Sequence, residues 1–153
     1  MDRELDPGSR PLGQDPEIRR SSHAAGRVYK PTVLQLTLAL DRDIDAPARA
    51  RTMVRGLKPL LGPERTEDAT LLVSELVTNA VKYGSGPVEL HVETGDDLRS
   101  RFTISDAGGG DTPALREAGG RASGGYGLHL VDRIADDWGV THASMHVWFE
   151  LSY

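Results

Sequence analysis

Residues 71–84, LLVSELVTNAVKYG, form the stretch around which the rest of the chain is organised. Its apolar residues recur at helical spacing and predict a helix with one face packed on a core: Leu72, Leu76, Ala80 and Tyr83. Glu75 and Asn79 are four residues apart, so they share one side of this helix. An unpaired polar group costs about 1–3 kcal/mol when it is buried. The pair therefore indicates either hydrogen bonds to neighbouring loops or a bound ligand.

The composition limits the class of protein. The 153 residues suit one domain of ordinary size. A formal net charge of −5 argues against a general nucleic-acid surface. No apolar run approaches the roughly 20 residues that span a bilayer, and the N-terminus lacks the apolar segment of a signal peptide. The chain has no cysteine, which excludes disulfides and thiolate metal sites. We expect a cytoplasmic protein that binds neither nucleic acid nor membrane.

Hydrophobic periodicity predicts one folded unit behind a tail. Residues 1–30 show no periodicity and are predicted to be a disordered tail, and residues 31–153 are predicted to form the domain. Alternating apolar and polar residues predict five strands, at 33–40, 88–94, 98–105, 138–142 and 145–151. Helical spacing predicts three helices: from an Asp45 N-cap to about residue 61, from a Thr66 cap to Gly84, and over 128–135. This order predicts an α+β two-layer sandwich, in which about three helices cover one face of a mostly antiparallel mixed sheet.

The first glycine-rich motif is D-x-G-x-G at residues 106–110, directly after a predicted strand. An aspartate at a strand end can accept a hydrogen bond from the exocyclic amine of a purine. The neighbouring glycines let the backbone approach a flat ring closely. The alternative is a tight turn closed by an aspartate side chain.

The second glycine-rich motif is GGYGLHL at residues 124–130, which leads directly into a predicted helix. The first amides of a helix have no internal partner, and the helix dipole adds about half a positive charge, so this end can bind an anion. The motif differs from a dinucleotide fingerprint because a predicted mobile loop, and not a strand, precedes it. The alternative is a loop-to-helix junction that binds nothing.

The three motifs in this order resemble the GHKL superfamily of histidine-kinase-like ATPases over about residues 33–153. They are E-x-x-x-N on a helix, D-x-G-x-G after a strand, and G-x-G-L-x-L-V at the start of a helix. Residues 71–84 and the ending VWFEL are most similar to small bacterial anti-sigma-factor serine/threonine kinases. The resemblance implies the histidine-kinase-like ATPase fold, with ATP and Mg²⁺ as cofactors.

The resemblance also implies a role for each matched residue. Asn79 would bind Mg²⁺, which bridges the ATP phosphates, and Glu75 would act as general base or orient the nucleophile. Asp106 would bind the adenine amine, and Gly108 and Gly110 would shape the pocket around it. The phosphate-binding helix would open at Gly125, Tyr126, Gly127 and Leu128. Residues 111–124 would form a lid. Lys82 is either a further phosphate contact or a solvated lysine.

The implied function is a regulatory serine/threonine protein kinase. It would phosphorylate an anti-sigma-factor antagonist and alternately hold a sigma factor, and the relatives suggest a homodimer. Too few residues follow the second glycine motif for the transducer domain of a gyrase-type ATPase, and no helical hairpin that would present a phospho-acceptor histidine is predicted upstream. Two alternatives remain: a nucleotide-gated protein-binding module without kinase activity, and a scaffold that binds no nucleotide.

Overall fold

Three helices pack on a six-stranded sheet in the computed structural model, which describes residues 18–20, 32–106, 126–141 and 146–153. The strands are β1 (Ile18–Arg20), β2 (Thr32–Leu40), β3 (Val88–Gly95), β4 (Arg99–Ser105), β5 (Asp137–Thr141) and β6 (His146–Ser152). The helices are α1 (Ala46–Arg55), α2 (Lys58–Tyr83) and α3 (Tyr126–Ile134). The strand order is β1-β5-β6-β4-β3-β2. The predicted α+β two-layer sandwich is confirmed, and every described strand pair is antiparallel.

The core lies between the sheet and the helices. Alternation along β3 and β4 turns every second side chain inward, as the sequence predicts. The rings of Phe102 and Phe149 stack at its centre with centroids 4.9 Å apart. The buried face of α2 includes Leu72, Leu76 and Ala80. This face fixes the rotation of α2, and so it decides which side of the helix carries Glu75 and Asn79. No helix among the described residues is both long and apolar enough to cross a membrane.

The start of α1 differs from the prediction. Asp45 occupies the N-cap position, but its side chain makes no capping hydrogen bond. Instead, Asp43 Oδ1 accepts hydrogen bonds from the Asp45 backbone N–H and from Arg49 Nη2, both at 2.9 Å. The hydrogen bond from Arg49 lowers the pKa of the Asp43 carboxyl below its ordinary value. The carboxylate two residues earlier therefore orders this helix start.

The boundary between α1 and α2 also differs from the prediction. The first helix ends at Arg55, and α2 begins at Lys58 and continues through a kink at Gly62, where φ is 76°. Glycine adopts this positive φ readily, and Pro63 needs no hydrogen-bond partner for a backbone N–H. Thr66 lies inside α2 and is not its cap, because its hydroxyl donates to the Gly62 carbonyl oxygen at 2.6 Å.

Part of the predicted N-terminal tail forms a strand. Ile18–Arg20 pairs with β5, with Ile18 opposite Val140 and Arg20 opposite Trp138. The alternation of so short a segment is too brief to be recognised from sequence. The other residues of the predicted tail lie outside the described part of the chain.

Gly139 is required by the packing of Trp148 on the neighbouring strand. The two residues are directly opposite in the β5–β6 register, and Trp148 is 4% exposed. A Cβ atom at Gly139 would lie 2.8 Å from the indole ring. The guanidinium of Arg101 lies 4.0 Å from the ring centroid and restricts movement of the indole.

We therefore expect Gly139→Ala to lower the free energy of unfolding by about 1–3 kcal/mol, the usual cost of overpacking. Urea denaturation followed by circular dichroism measures the change. An unchanged midpoint with an unchanged slope would show that Trp148 can move away freely.

Candidate functional site

The polar pair that the sequence singles out on α2, Glu75 and Asn79, is half-buried and accessible to a ligand. Neither side chain forms a hydrogen bond or ion pair with another described residue. No fully buried side-chain N or O atom in the described part of the chain lacks a partner. The polar atoms of Glu75 and Asn79 therefore reach solvent. Hydrogen bonds to neighbouring loops, the alternative considered for this pair, are not found among the described residues.

Asp106, at the end of β4, lies against the C-terminal end of α2. A Cβ atom built on Gly84 would overlap the Asp106 carboxylate and would lie 2.6 Å from the Ala80 carbonyl oxygen. Asp106 is half-buried, and Ala80 is the residue after Asn79. Asn79 and Asp106 would be about 90 Å apart along a fully extended chain, but the first two sequence motifs are neighbours in the fold.

The close approach of Asp106 explains why a glycine stands at position 84. The predicted end of α2 at Gly84 is confirmed. The backbone N–H of Gly84 donates to the Ala80 carbonyl oxygen at 3.0 Å. Its φ is −81° and its ψ is −170°, an extended conformation that any residue can adopt. Glycine is therefore needed at position 84 because there is no room for a side chain, and not because the backbone is left-handed.

A second contact at this helix end comes from Arg42, in the loop between β2 and α1. Its Nη2 donates to the Val81 carbonyl oxygen at 2.6 Å. The last carbonyls of a helix have no internal partner, and a cation near them is stabilising by about 0.3–1 kcal/mol. Sequence analysis missed Arg42 and the packing role of Gly84, since each contact joins residues far apart in the chain. Arg42 nevertheless helps to hold the end of α2 beside Asp106.

The third motif opens α3, which packs against both α2 and β5. The helix begins at Tyr126, inside the glycine-rich motif and two residues before the predicted start at Leu128. Leu128 is 2% exposed, so its side chain anchors α3 in the core. Trp138 Nε1 donates to Asp132 Oδ1 at 3.1 Å and joins the helix to β5. The helix α3 is thus held in place by α2 and β5.

Several predicted site residues lie outside the described part of the chain. They are Gly108, Gly110, Gly125 and the predicted lid at residues 111–124. Tyr126 and Gly127 are described as the first two residues of α3. Lys82 is exposed near the end of α2 and forms no ion pair with a described residue.

The described residues hold no group of three or more carboxylate, histidine or cysteine side chains that could bind a metal together. A divalent cation at Asn79 would therefore take most of its ligands from a bound phosphate chain and from water. Mg²⁺ suits such a site, because it prefers oxygen ligands and usually keeps several waters. The accessible amide oxygen of Asn79 fits this role.

Comparison with known proteins agrees with this arrangement. The family model for the histidine kinase-like ATPase domain matches residues 42–151. No curated protein matches the chain. Among solved structures, the crystal structure of the RsbU and RsbW domains of Rv1364c from Mycobacterium tuberculosis is similar, with a TM-score of 0.57 and 19% sequence identity. The match covers 79% of this chain and 32% of that one, and at this identity it shows the fold alone.

The family match spans all the elements that carry the candidate site, from α1 to β6. All three motifs lie within the matched residues. The first two meet at the end of α2. This chain belongs to the histidine kinase-like ATPase domain family.

Proposed function

We propose that this protein is an ATP-dependent regulator of the anti-sigma-factor type. It binds ATP with Mg²⁺ and phosphorylates a serine or threonine of an antagonist protein. The observation that carries the proposal is the accessible Glu75–Asn79 pair, which has no partner among the described residues and stands on the helix that Asp106 contacts. A carboxylate can accept the proton of an attacking hydroxyl group, an amide oxygen can bind Mg²⁺, and an aspartate can read the purine, so together these groups suit phosphoryl transfer from ATP.

Each residue has a distinct role in this proposal. Asp106 accepts a hydrogen bond from the adenine amine, and Asn79 supplies an oxygen ligand to Mg²⁺. The first amides of α3 bind phosphate oxygens, and the exposed Lys82 is a further candidate for that contact. Glu75 takes the proton of the attacking hydroxyl group. When bound, ATP would supply the phosphoryl group to the hydroxyl oxygen and leave as ADP, and the protein contributes mainly positioning and charge neutralisation.

The proposed partners are a sigma factor and an antagonist protein. The similar solved structure contains an RsbW domain beside an RsbU domain, which is in keeping with a role in partner regulation. We extend the proposal to a cytoplasmic homodimer that acts in transcription regulation. In this proposal the chain binds other proteins and does not bind nucleic acid, which is consistent with its net charge of −5.

Thermal unfolding with ATP and MgCl₂ tests the nucleotide-binding part of the proposal. A ligand at 100 times its Kd stabilises a protein by about 2.7 kcal/mol, so Tm should rise clearly at millimolar ATP. Removal of Mg²⁺ with EDTA should reduce the rise. No shift at millimolar ATP would instead indicate a scaffold that binds no nucleotide.

Incubation with γ-labelled ATP and candidate antagonist proteins tests the kinase activity. Label transfer to a serine or threonine of one antagonist is expected. ATP binding without transfer to any candidate would favour the alternative function, a protein-binding module in which the nucleotide orders a partner surface.

Gly84→Ala should weaken ATP binding although residue 84 itself contacts no nucleotide in this proposal. The new methyl group overlaps the Asp106 carboxylate and pushes it out of position. Loss of one hydrogen bond to a charged group costs about 1.5–3 kcal/mol, which corresponds to an increase in Kd of roughly 10–100-fold. Isothermal titration calorimetry measures the change.

Asp106→Asn provides the comparison for this substitution. The asparagine amide can present a donor where the adenine amine needs an acceptor, so its affinity should also fall. GTP, which carries a carbonyl oxygen in place of the exocyclic amine at this position of the ring, should bind wild type and Gly84→Ala weakly. An unchanged ATP affinity in Gly84→Ala would show that ATP binding does not depend on the close approach of Asp106 to Gly84.

A further inference from the structure

A groove of about 550 Å³ lies between α1 and the first half of α2, outside the candidate nucleotide site. Its walls combine two kinds of side chain. Basic residues come from α1 and the start of α2: Arg51, Arg55 and Lys58. Apolar surface comes from Pro63 and Leu71 of α2, and Leu71 is 43% exposed. An exposed leucine in the same groove as these cations is suited to a partner that brings both acidic and apolar groups.

The positive charge of the groove is concentrated and largely uncompensated. Arg51 and Arg55 are four residues apart on α1, a spacing at which like charges weaken a helix. Arg51 Nη1 donates to Ser74 Oγ at 2.8 Å, and this hydrogen bond leaves its charge unpaired. Arg55 and Lys58 form no ion pair with any residue that the structure describes. Glu67 is the one acidic side chain among the lining residues.

This local charge is opposite in sign to the net charge of −5 on the whole chain. An acidic protein segment is attracted to such a patch, and the rest of the surface repels acidic segments that do not fit it. Nucleic acid is the less favoured occupant. It would meet the same overall repulsion, and the groove lining includes no aromatic ring on which a base could stack.

We propose that the groove between α1 and α2 is the docking site for an acidic segment of a partner protein, with an apolar side chain of that segment seated on Leu71. This inference rests on the proposed function only in assuming that the chain acts on another protein. Ser74, the last lining residue along α2, immediately precedes Glu75. A segment in the groove therefore lies next to the residue proposed to receive the proton of the substrate hydroxyl.

Two synthetic peptides of equal length test the surface with the full-length protein. Both form amphipathic helices with leucine on one face, and they carry glutamate or lysine on the other face. Binding is followed by backbone amide NMR shifts and by fluorescence anisotropy. The glutamate peptide should shift the amides of Arg55 and Leu71, with an affinity that falls as salt rises. The lysine peptide should leave these amides unchanged.

Arg55→Glu should weaken binding of the glutamate peptide about tenfold. The matched control is Arg133→Glu, because both arginines are exposed in the last turn of a helix and their reversal opposes the helix dipole equally. The control should bind the peptide like wild type. Lys58→Glu gives a second variant in the groove and should behave like Arg55→Glu.

The inference is overturned if the glutamate peptide leaves the groove amides unshifted at millimolar concentration, or if Arg55→Glu and Arg133→Glu weaken it equally. A single-stranded oligonucleotide that shifts these amides when the peptide does not would also overturn it and would identify a nucleic-acid surface. The ATP-dependent Tm rise is measured on the same samples. If ATP raises Tm but the peptide does not bind, only the docking site is contradicted. If the peptide binds but ATP does not raise Tm, only the nucleotide site is contradicted.

Discussion

Asn79→Ala is expected to remove most of the Mg²⁺-dependent affinity for ATP. The substitution deletes the amide oxygen proposed to bind the cation, and alanine is favourable in a helix, so α2 should remain intact. A polar contact to a charged group contributes about 1.5–3 kcal/mol, and Kd should therefore rise roughly 10–100-fold. Calorimetric titration with ATP and MgCl₂ measures this, and a parallel titration in EDTA should show little difference between variant and wild type.

Two further variants separate the metal contact from a general effect on the helix. Asn79→Asp keeps an oxygen ligand at the same position and should retain Mg²⁺-dependent binding better than alanine. Thr78→Ala changes the adjacent residue, whose hydroxyl donates to the Ser74 carbonyl oxygen at 2.7 Å inside the helix. It should bind ATP like wild type. If Asn79→Ala keeps its Mg²⁺-dependent affinity, Asn79 has no role at the metal.

Elements with a strong local pattern could be predicted from the sequence. The alternation of Leu34, Leu36 and Leu38 places β2 close to its observed bounds, since a strand with one inward face needs this period. The stripe on α2 is equally informative because it contacts the core over several turns. The same stripe is sufficient to place Glu75 and Asn79 beside the core. Local periodicity thus predicted the sandwich and the helix that carries the site.

Features that depend on which of several nearby groups makes a contact, or on distant partners, could not be predicted. Asp45 matches an N-cap by residue type, but Asp43 is better placed because Arg49 also binds it. Thr66 also resembles a cap, yet Gly62 and Pro63 allow the chain to kink and continue as helix. The contact between Gly84 and Asp106 requires the end of β4 to meet the end of α2, which no spacing in the sequence encodes.

The structure makes α2 the element that both proposed activities share. Its second half carries Glu75 and Asn79, and Asp106 contacts its end. Its first half forms one wall of the groove with Arg51 and Arg55 opposite. After the kink at Gly62, α2 runs from Pro63 to Tyr83 without a further break. A segment in the groove and a nucleotide at the site would therefore hold fixed positions relative to each other. Phosphoryl transfer depends chiefly on such positioning.

Glu75→Ala is expected to abolish phosphotransfer while ATP binding is kept. In the proposed mechanism the carboxylate receives the proton of the attacking hydroxyl and makes no required contact with the nucleotide. General base catalysis contributes about 10²–10⁴-fold to a rate, and the transfer rate should fall by that factor. Quench-flow with γ-labelled ATP and a phosphorylatable antagonist measures the rate, and calorimetry on the same preparation measures ATP affinity.

Glu64→Ala is the matched control, because Glu64 is an exposed glutamate on α2 that lines neither the candidate site nor the groove. It makes the same change in charge and side-chain length and should transfer phosphate like wild type. Glu75→Gln then tests the chemistry more narrowly, since it keeps the side-chain length and loses the basic oxygen. If glutamine restores the rate that alanine loses, Glu75 orients the nucleophile. If both variants are slow, Glu75 is the base, and if both match wild type, Glu75 takes no part in transfer.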